Sequence, residues 1–169
     1  MHALHLPFRG MALIAGAGAA DMRRAAVNPP RRPLPLYGQL VAAGFPSPAD
    51  DYIEDLLDLN ELLVRNPPAT FYVRLRGKSM MAAGLHDGDI LVVDRSVEPR
   101  TGCIVVATVD GAYTVKRLFR RGRRVELRPD SDECRPGSTR PLFDAIELQE
   151  GQELQIFGVV VAAVKQLPR

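Results

Sequence analysis

The sequence has no tryptophan, two cysteines and three histidines in 169 residues. Two cysteines cannot build a disulfide framework, and a reducing, cytoplasmic setting is expected. Cys103 and Cys134 lie far apart, outside any Cys-x-x-Cys or His-Glu-x-x-His spacing, so no metal site is expected. His2 and His5 sit near the N-terminus and His86 stands alone, which leaves no histidine-centred catalytic set. A Gly-rich phosphate loop with the right flanks is also missing, and no cofactor is expected. No apolar run approaches the ~20 residues needed to cross a bilayer, so no membrane partner is expected.

The composition, 46% hydrophobic and 25% charged, suits one compact domain with an extra arm. Fourteen glycines and fourteen prolines imply many turns and short elements. The net charge of +2 hides an asymmetry. Residues 1–43 carry Arg9, Arg23, Arg24, Arg31 and Arg32 against Asp21 alone, while residues 44–169 are slightly acidic. Such a basic arm can bind nucleic acid, dock on an acidic surface or stay solvated. Residues 1–20 resemble a secretory signal only superficially, because Met11, Leu13 and Ile14 are the only large apolar side chains of the would-be inserting stretch. Residues 28–36, with four prolines, read as an extended linker.

From Ser47 the texture changes. Ser47-Pro48-Ala49-Asp50 reads as a helix start, predicting a short helix through Tyr52 and Ile53. Leucines 56, 59, 62 and 63 predict a second short helix over 56–64, ended by Asn66-Pro67-Pro68. Beyond Pro68 the period becomes that of strands: 71–76, 89–93, 103–109, 112–119, 124–128 and 154–164. Asp110-Gly111 marks a two-residue hairpin. The expected fold is mainly β, from about residue 69 to the end.

Three features could carry chemistry. Ser79 sits in a turn, Arg76-Gly77-Lys78-Ser79-Met80, directly after a strand; a serine there is ordinarily a turn residue. Lys116 shares a strand face with Ala112, Thr114 and Leu118. If that face is exposed, Lys116 is an ordinary surface cation. If it is buried, desolvation lowers its pKa and leaves a neutral amine able to activate a serine hydroxyl. Periodicity leaves both open, since Val115 and Phe119 on the other face are equally good core residues. Third, Ala43-Gly44 could enter a narrow cleft without a bulky side chain in the way.

Six ordered blocks tie these features together: Ala43 to Glu54, Asp58 to Leu63, Gly77-Lys78-Ser79-Met80, Asp87 to Asp94, Asp110-Gly111 with Thr114-Val115-Lys116, and Phe157-Gly158-Val159-Val160. In order and spacing they resemble the UmuD-like branch of the LexA-like Ser/Lys peptidases, over roughly residues 33–167. The resemblance implies a mainly β, LexA/signal-peptidase-like fold with a flexible N-terminal arm and short helices. It implies Ser79 as nucleophile, Lys116 as general base, Ala43-Gly44 as the scissile bond, and Gly77, Lys78 and Met80 as the turn beside the oxyanion. An arm, 1–43, would be removed from a Ser/Lys peptidase-like body, 44–169. It further implies a homodimer, cleavage stimulated by a RecA filament on single-stranded DNA, and a shortened product that joins a UmuC-type polymerase in translesion synthesis, with no sequence-specific DNA binding.

The sequence departs from the family in three places. Lys78 stands where an acidic or polar residue is usual, and could depress the Lys116 pKa further or point to solvent. The arm is long: a start at Met22, with Met1 and Met11 the other candidates, would restore the usual length and make 1–21 a mis-called start. Arg117, Arg120, Arg121, Arg123 and Arg124 crowd one hairpin and could face DNA, a polymerase or water. Rival readings are a LexA-like repressor fragment, for which 43 Pro-rich residues supply no helix-turn-helix, a membrane-anchored signal peptidase, and an inactive interaction module in which Ser79 and Lys116 do nothing.

Overall fold

The computed structural model describes residues 23–24, 28–37, 53–122, 124–149 and 151–167. Ten strands dominate it. They are β1 (Arg23–Arg24), β2 (Leu34–Tyr37), β3 (Ile53–Leu57), β4 (Thr70–Arg74), β5 (Ile90–Asp94), β6 (Ile104–Val109), β7 (Ala112–Arg121), β8 (Arg124–Arg128), β9 (Ile146–Glu147) and β10 (Leu154–Val164), with one short helix α1 (Leu59–Leu63). All six strands expected after Pro68 are present, with ends shifted by two residues at most. β-branched side chains fill them, because branched Cβ atoms pack well on a pleated, half-buried surface. The Asp110-Gly111 turn joins β6 to β7, both residues at positive φ, 48° and 82°, as a tight hairpin requires.

Eight strands form one antiparallel sheet in the order β1-β4-β5-β10-β6-β7-β8-β9, and β2 pairs with β3 separately. The sheet buries two clusters. One gathers Leu75, Met80, Leu85, Leu91, Val93 and Val106; the other gathers Val105, Ala107, Leu118, Leu127 and Val159. Val105 and Val106 are neighbours in β6 yet belong to different clusters, since successive side chains point to opposite faces. β10 sits between β5 and β6 with a register irregularity against each. At Gly158 it approaches β5 so closely that a Cβ would lie 2.8 Å from Val93 Cγ1 and 3.1 Å from the Asp94 carbonyl oxygen. Gly158→Ala is therefore expected to destabilise the fold by about 1–3 kcal/mol, seen as a lower urea midpoint at unchanged slope.

The helix expectations need correction. Ile53 is in a strand rather than at the end of a helix, and residues 47–52 of that expected helix lie outside the described residues. The second helix begins at Leu59, not Leu56. Leu56 and Leu57 are extended and pair with Pro35 and Leu34. Asp58 sets the boundary: its backbone is extended (φ −101°, ψ 118°) and its carboxylate accepts from Asn60 N–H at 2.8 Å, the geometry of an N-cap. The same carboxylate accepts from Arg32 N–H at 2.6 Å. Together these donors, Arg32 first, hold the Asp58 carboxyl below its ordinary pKa.

The Pro-rich stretch is extended as expected, and its end is also paired. Leu34–Tyr37 runs antiparallel to β3, Arg23–Arg24 pairs with Tyr72 and Phe71 of β4, and Arg31 forms an ion pair with Glu61. Tyr37 and Ile53 are register partners. The segment between them, 38–52, contains Ala43-Gly44, which lies outside the described residues.

Candidate active site

The chain leaves β4 through Leu75, which is buried, and turns at Gly77, whose φ of +103° a side chain would strain. Asp87 fixes this turn by accepting from Gly77 N–H at 2.6 Å. Met80, 1% exposed, anchors the far side in the first cluster. Ser79 is thus held between a pinned glycine and a buried methionine. The N–H groups of Lys78, Ser79 and Met80 donate to no partner among the described residues. Gly77 N–H, spent on Asp87, serves the turn instead.

Lys116 lies on β7, opposite Val105. Its ammonium nitrogen is 2.7 Å from Ser79 Oγ and 3.1 Å from the Val115 carbonyl oxygen, to which it donates. Burial of the amine lowers the Lys116 pKa, desolvation being the cause. Lys78 contributes nothing to that shift. Its side chain is 64% exposed and its ammonium is 4.0 Å from Glu133, so it faces solvent.

A clamp missed by the sequence reading holds the two halves in place. Asp130 N–H donates to the Ser79 carbonyl at 2.8 Å, and the Asp130 carbonyl accepts from Ala82 N–H at 2.9 Å. The Asp130 carboxylate in turn receives two donors from Arg117, the residue after Lys116, whose Nε is 3.0 Å away. A third donor of Arg117 reaches the Gly102 carbonyl at 2.7 Å. The strand bearing Lys116 and the turn bearing Ser79 are therefore tied through one carboxylate. No local signal marks Asp130, since the contact spans thirteen residues on one side and fifty-one on the other.

Ser79 and Lys116 open onto a cleft of about 280 Å³, flanked by the extended segments 73–76 and 113–116. β8 pairs with β7 only from Arg117 onward, so that edge of β7 over Ala112–Lys116 has no strand partner among the described residues. A free strand edge beside a paired lysine and serine can receive an extended peptide by main-chain hydrogen bonding and present one of its carbonyls to the hydroxyl. Among the described residues no group of three His, Cys, Asp or Glu side chains could hold a metal, and no helix is long and apolar enough to cross a membrane.

Residues 35–161 match the family model described as Peptidase S24-like. The chain is 44% identical over 137 residues to Protein SamA of Salmonella typhimurium, a match spanning 81% of this chain and 89% of SamA. It is 52% identical over 98 residues to Protein ImpA of Escherichia coli, 58% of this chain and 67% of ImpA. It is also 39% identical over 116 residues to the LexA repressor of Actinobacillus pleuropneumoniae, covering 69% of this chain and 54% of the repressor.

Proposed function

This chain belongs to the Peptidase S24-like family as a UmuD-like member, and on that premise we propose that it cuts its own Ala43–Gly44 bond with Ser79 as nucleophile and Lys116 as general base. The family comprises self-cleaving serine peptidases, and its UmuD-like members act in SOS mutagenesis and translesion DNA synthesis. The observation that carries the residue assignment is the 2.7 Å contact between Lys116 Nζ and Ser79 Oγ at the foot of the cleft.

With the amine neutral, the Ser79 hydroxyl donates to Nζ and passes its proton there as Oγ attacks the Ala43 carbonyl carbon. The N–H groups of Lys78, Ser79 and Met80, which donate to no partner among the described residues, are the donors available to the developing oxyanion. The Lys116 ammonium then returns its proton to the Gly44 nitrogen as the peptide bond breaks, leaving an acyl ester on Ser79. Lys116 next takes a proton from water as the water oxygen attacks the ester, then gives that proton to Ser79 Oγ as the ester bond breaks, freeing the Ser79 hydroxyl and a new carboxylate at Ala43. Because the substrate is tethered to the enzyme, even a modest site sees it at high effective concentration.

The biological setting follows the same reading: a homodimer in the cytoplasm, stimulated by a RecA filament on single-stranded DNA, whose product beginning at Gly44 joins a UmuC-type polymerase. The test is intact mass spectrometry of the purified chain after incubation at mildly alkaline pH, or with RecA, ATP and single-stranded DNA. A fragment starting at Gly44 is expected under both conditions, accumulating faster as pH rises toward the Lys116 pKa. Its absence under both would overturn the proposal.

A further inference from the structure

The β7–β8 hairpin presents one face to the second core cluster, through Leu118, Val125 and Leu127. Its other face carries Arg117, Phe119 and Arg121 on β7, opposite Arg128, Glu126 and Arg124 on β8. Two pairs of arginines therefore stand directly across from each other, an arrangement that opposes strand pairing. At Arg117 and Arg128 the protein supplies the missing anions: Asp130 binds Arg117, and Glu126 binds Arg128 at 2.6 Å. At Arg121 and Arg124 no such anion stands among the described residues. Both side chains are exposed, and neither has an ion pair or side-chain hydrogen bond among the described residues.

This pair borders a concavity of about 310 Å³ that Thr101, Phe119, Arg120, Arg128 and Glu126 also line, the Glu126 carboxylate being engaged by Arg128. One wall is flat, because the Arg128 guanidinium lies 4.1 Å over the Phe119 ring. Free guanidinium forks match phosphate oxygens two at a time, and a guanidinium–aromatic stack offers a planar surface for a base. An acidic protein segment would satisfy the cations but leave the planar wall unused.

We propose that this face binds single-stranded nucleic acid without sequence preference, with Arg121 and Arg124 on the phosphodiester backbone and a base stacked on the Arg128–Phe119 wall. The site is separate from the Ser79–Lys116 cleft and does not depend on cleavage.

Fluorescence anisotropy of the full chain with a labelled oligothymidylate, titrated between about 50 and 200 mM salt, tests it. The unaltered chain is expected to bind with affinity that falls steeply as salt rises. The double variant Arg121→Gln/Arg124→Gln should bind on the order of tenfold more weakly at low salt, with a log–log salt slope shallower by about 1.4, the value for two lost phosphates. Its melting temperature should be equal or higher, since a like-charge pair is gone, and its self-cleavage at alkaline pH should be unchanged. Phe119→Leu should weaken binding while leaving the salt slope intact. The inference is overturned if the unaltered chain does not bind at low salt, or if the double variant binds as well as the unaltered chain. It is equally overturned if Arg31→Gln/Arg32→Gln in the arm causes the loss instead, or if polyglutamate competes as strongly as the oligonucleotide, which would assign the face to an acidic protein.

Discussion

Ser79→Ala is expected to reduce self-cleavage to background, a loss of at least about a thousandfold, because among the described residues Ser79 carries the one hydroxyl within hydrogen-bond distance of Lys116 Nζ. Lys116→Met should be equally inactive, and so should Lys116→Arg, since a guanidinium keeps its proton and cannot accept one from serine. Intact mass spectrometry over a pH series checks all three. In the unaltered chain the rate should climb with pH and level off above the lowered Lys116 pKa. The same shift predicts a gain. Below that value the folded chain holds a desolvated ammonium, and between it and the ordinary value of 10.5 the unfolded chain binds a proton that the folded one does not. Stability from this group therefore rises with pH across that window and is lowest beneath it. Lys116→Met removes the cost, so the inactive variant should melt at a higher temperature at neutral pH. A Ser79→Ala or Lys116→Arg protein that still cleaves would overturn the assigned role.

Asp130→Ala should slow cleavage by about a hundredfold, the scale expected when a catalytic group shifts by roughly an ångström. Its carboxylate joins Arg117, next to Lys116, to the main chain that holds Ser79. Removing it leaves Arg117 with the Gly102 carbonyl but no carboxylate, and breaks the side-chain tie between the strand and the turn. Asp130→Asn keeps one acceptor for Arg117 and should recover much of the loss. The pH profile distinguishes positioning from general damage: the rate falls at every pH, while the midpoint, set by Lys116 burial, stays where it was. A shifted midpoint, or a rate equal to that of the unaltered chain, would remove Asp130 from the mechanism.

What the sequence made legible was determined locally. The Asp110-Gly111 turn and the alternation around it define the β6–β7 hairpin without reference to anything distant. The helix expectations needed correction at Ile53 and at Leu56, where local rules had competitors. Leu56 fits a helical spacing, but Asp58 caps at 58 and Leu56 finds a strand partner in Pro35, twenty-one residues upstream. The face of Lys116 was undecidable for a physical reason as well. Val115 pairs with Val106 of one cluster, while Lys116 pairs with Val105 of the other and Leu118 is fully buried, so both faces of β7 are core and alternation carries no exposed side to read. Ser79 and Lys116 could be named by residue type, yet their separation depends on a turn and a strand thirty-seven residues apart. The Asp130 clamp, built from main-chain groups and one long-range ion pair, leaves no pattern at all.

The pairing of β2 with β3 bears on what cutting would accomplish. Tyr37 and Ile53 adjoin across that small sheet, so the proposed hydrolysis at Ala43–Gly44 would divide the chain between two residues that remain paired. The severed arm keeps its hold through β2, through Arg32 on Asp58, through Arg31 on Glu61, and through Arg23–Arg24 on β4. What changes is molecularity. An attachment maintained by a tether at high effective concentration becomes a complex of two chains that dilution can separate. On the proposed reading, cutting by itself would leave β2 on β3, and dissociation of the fragment would set the interval before the residues it covers become exposed. That interval should lengthen with free fragment in solution.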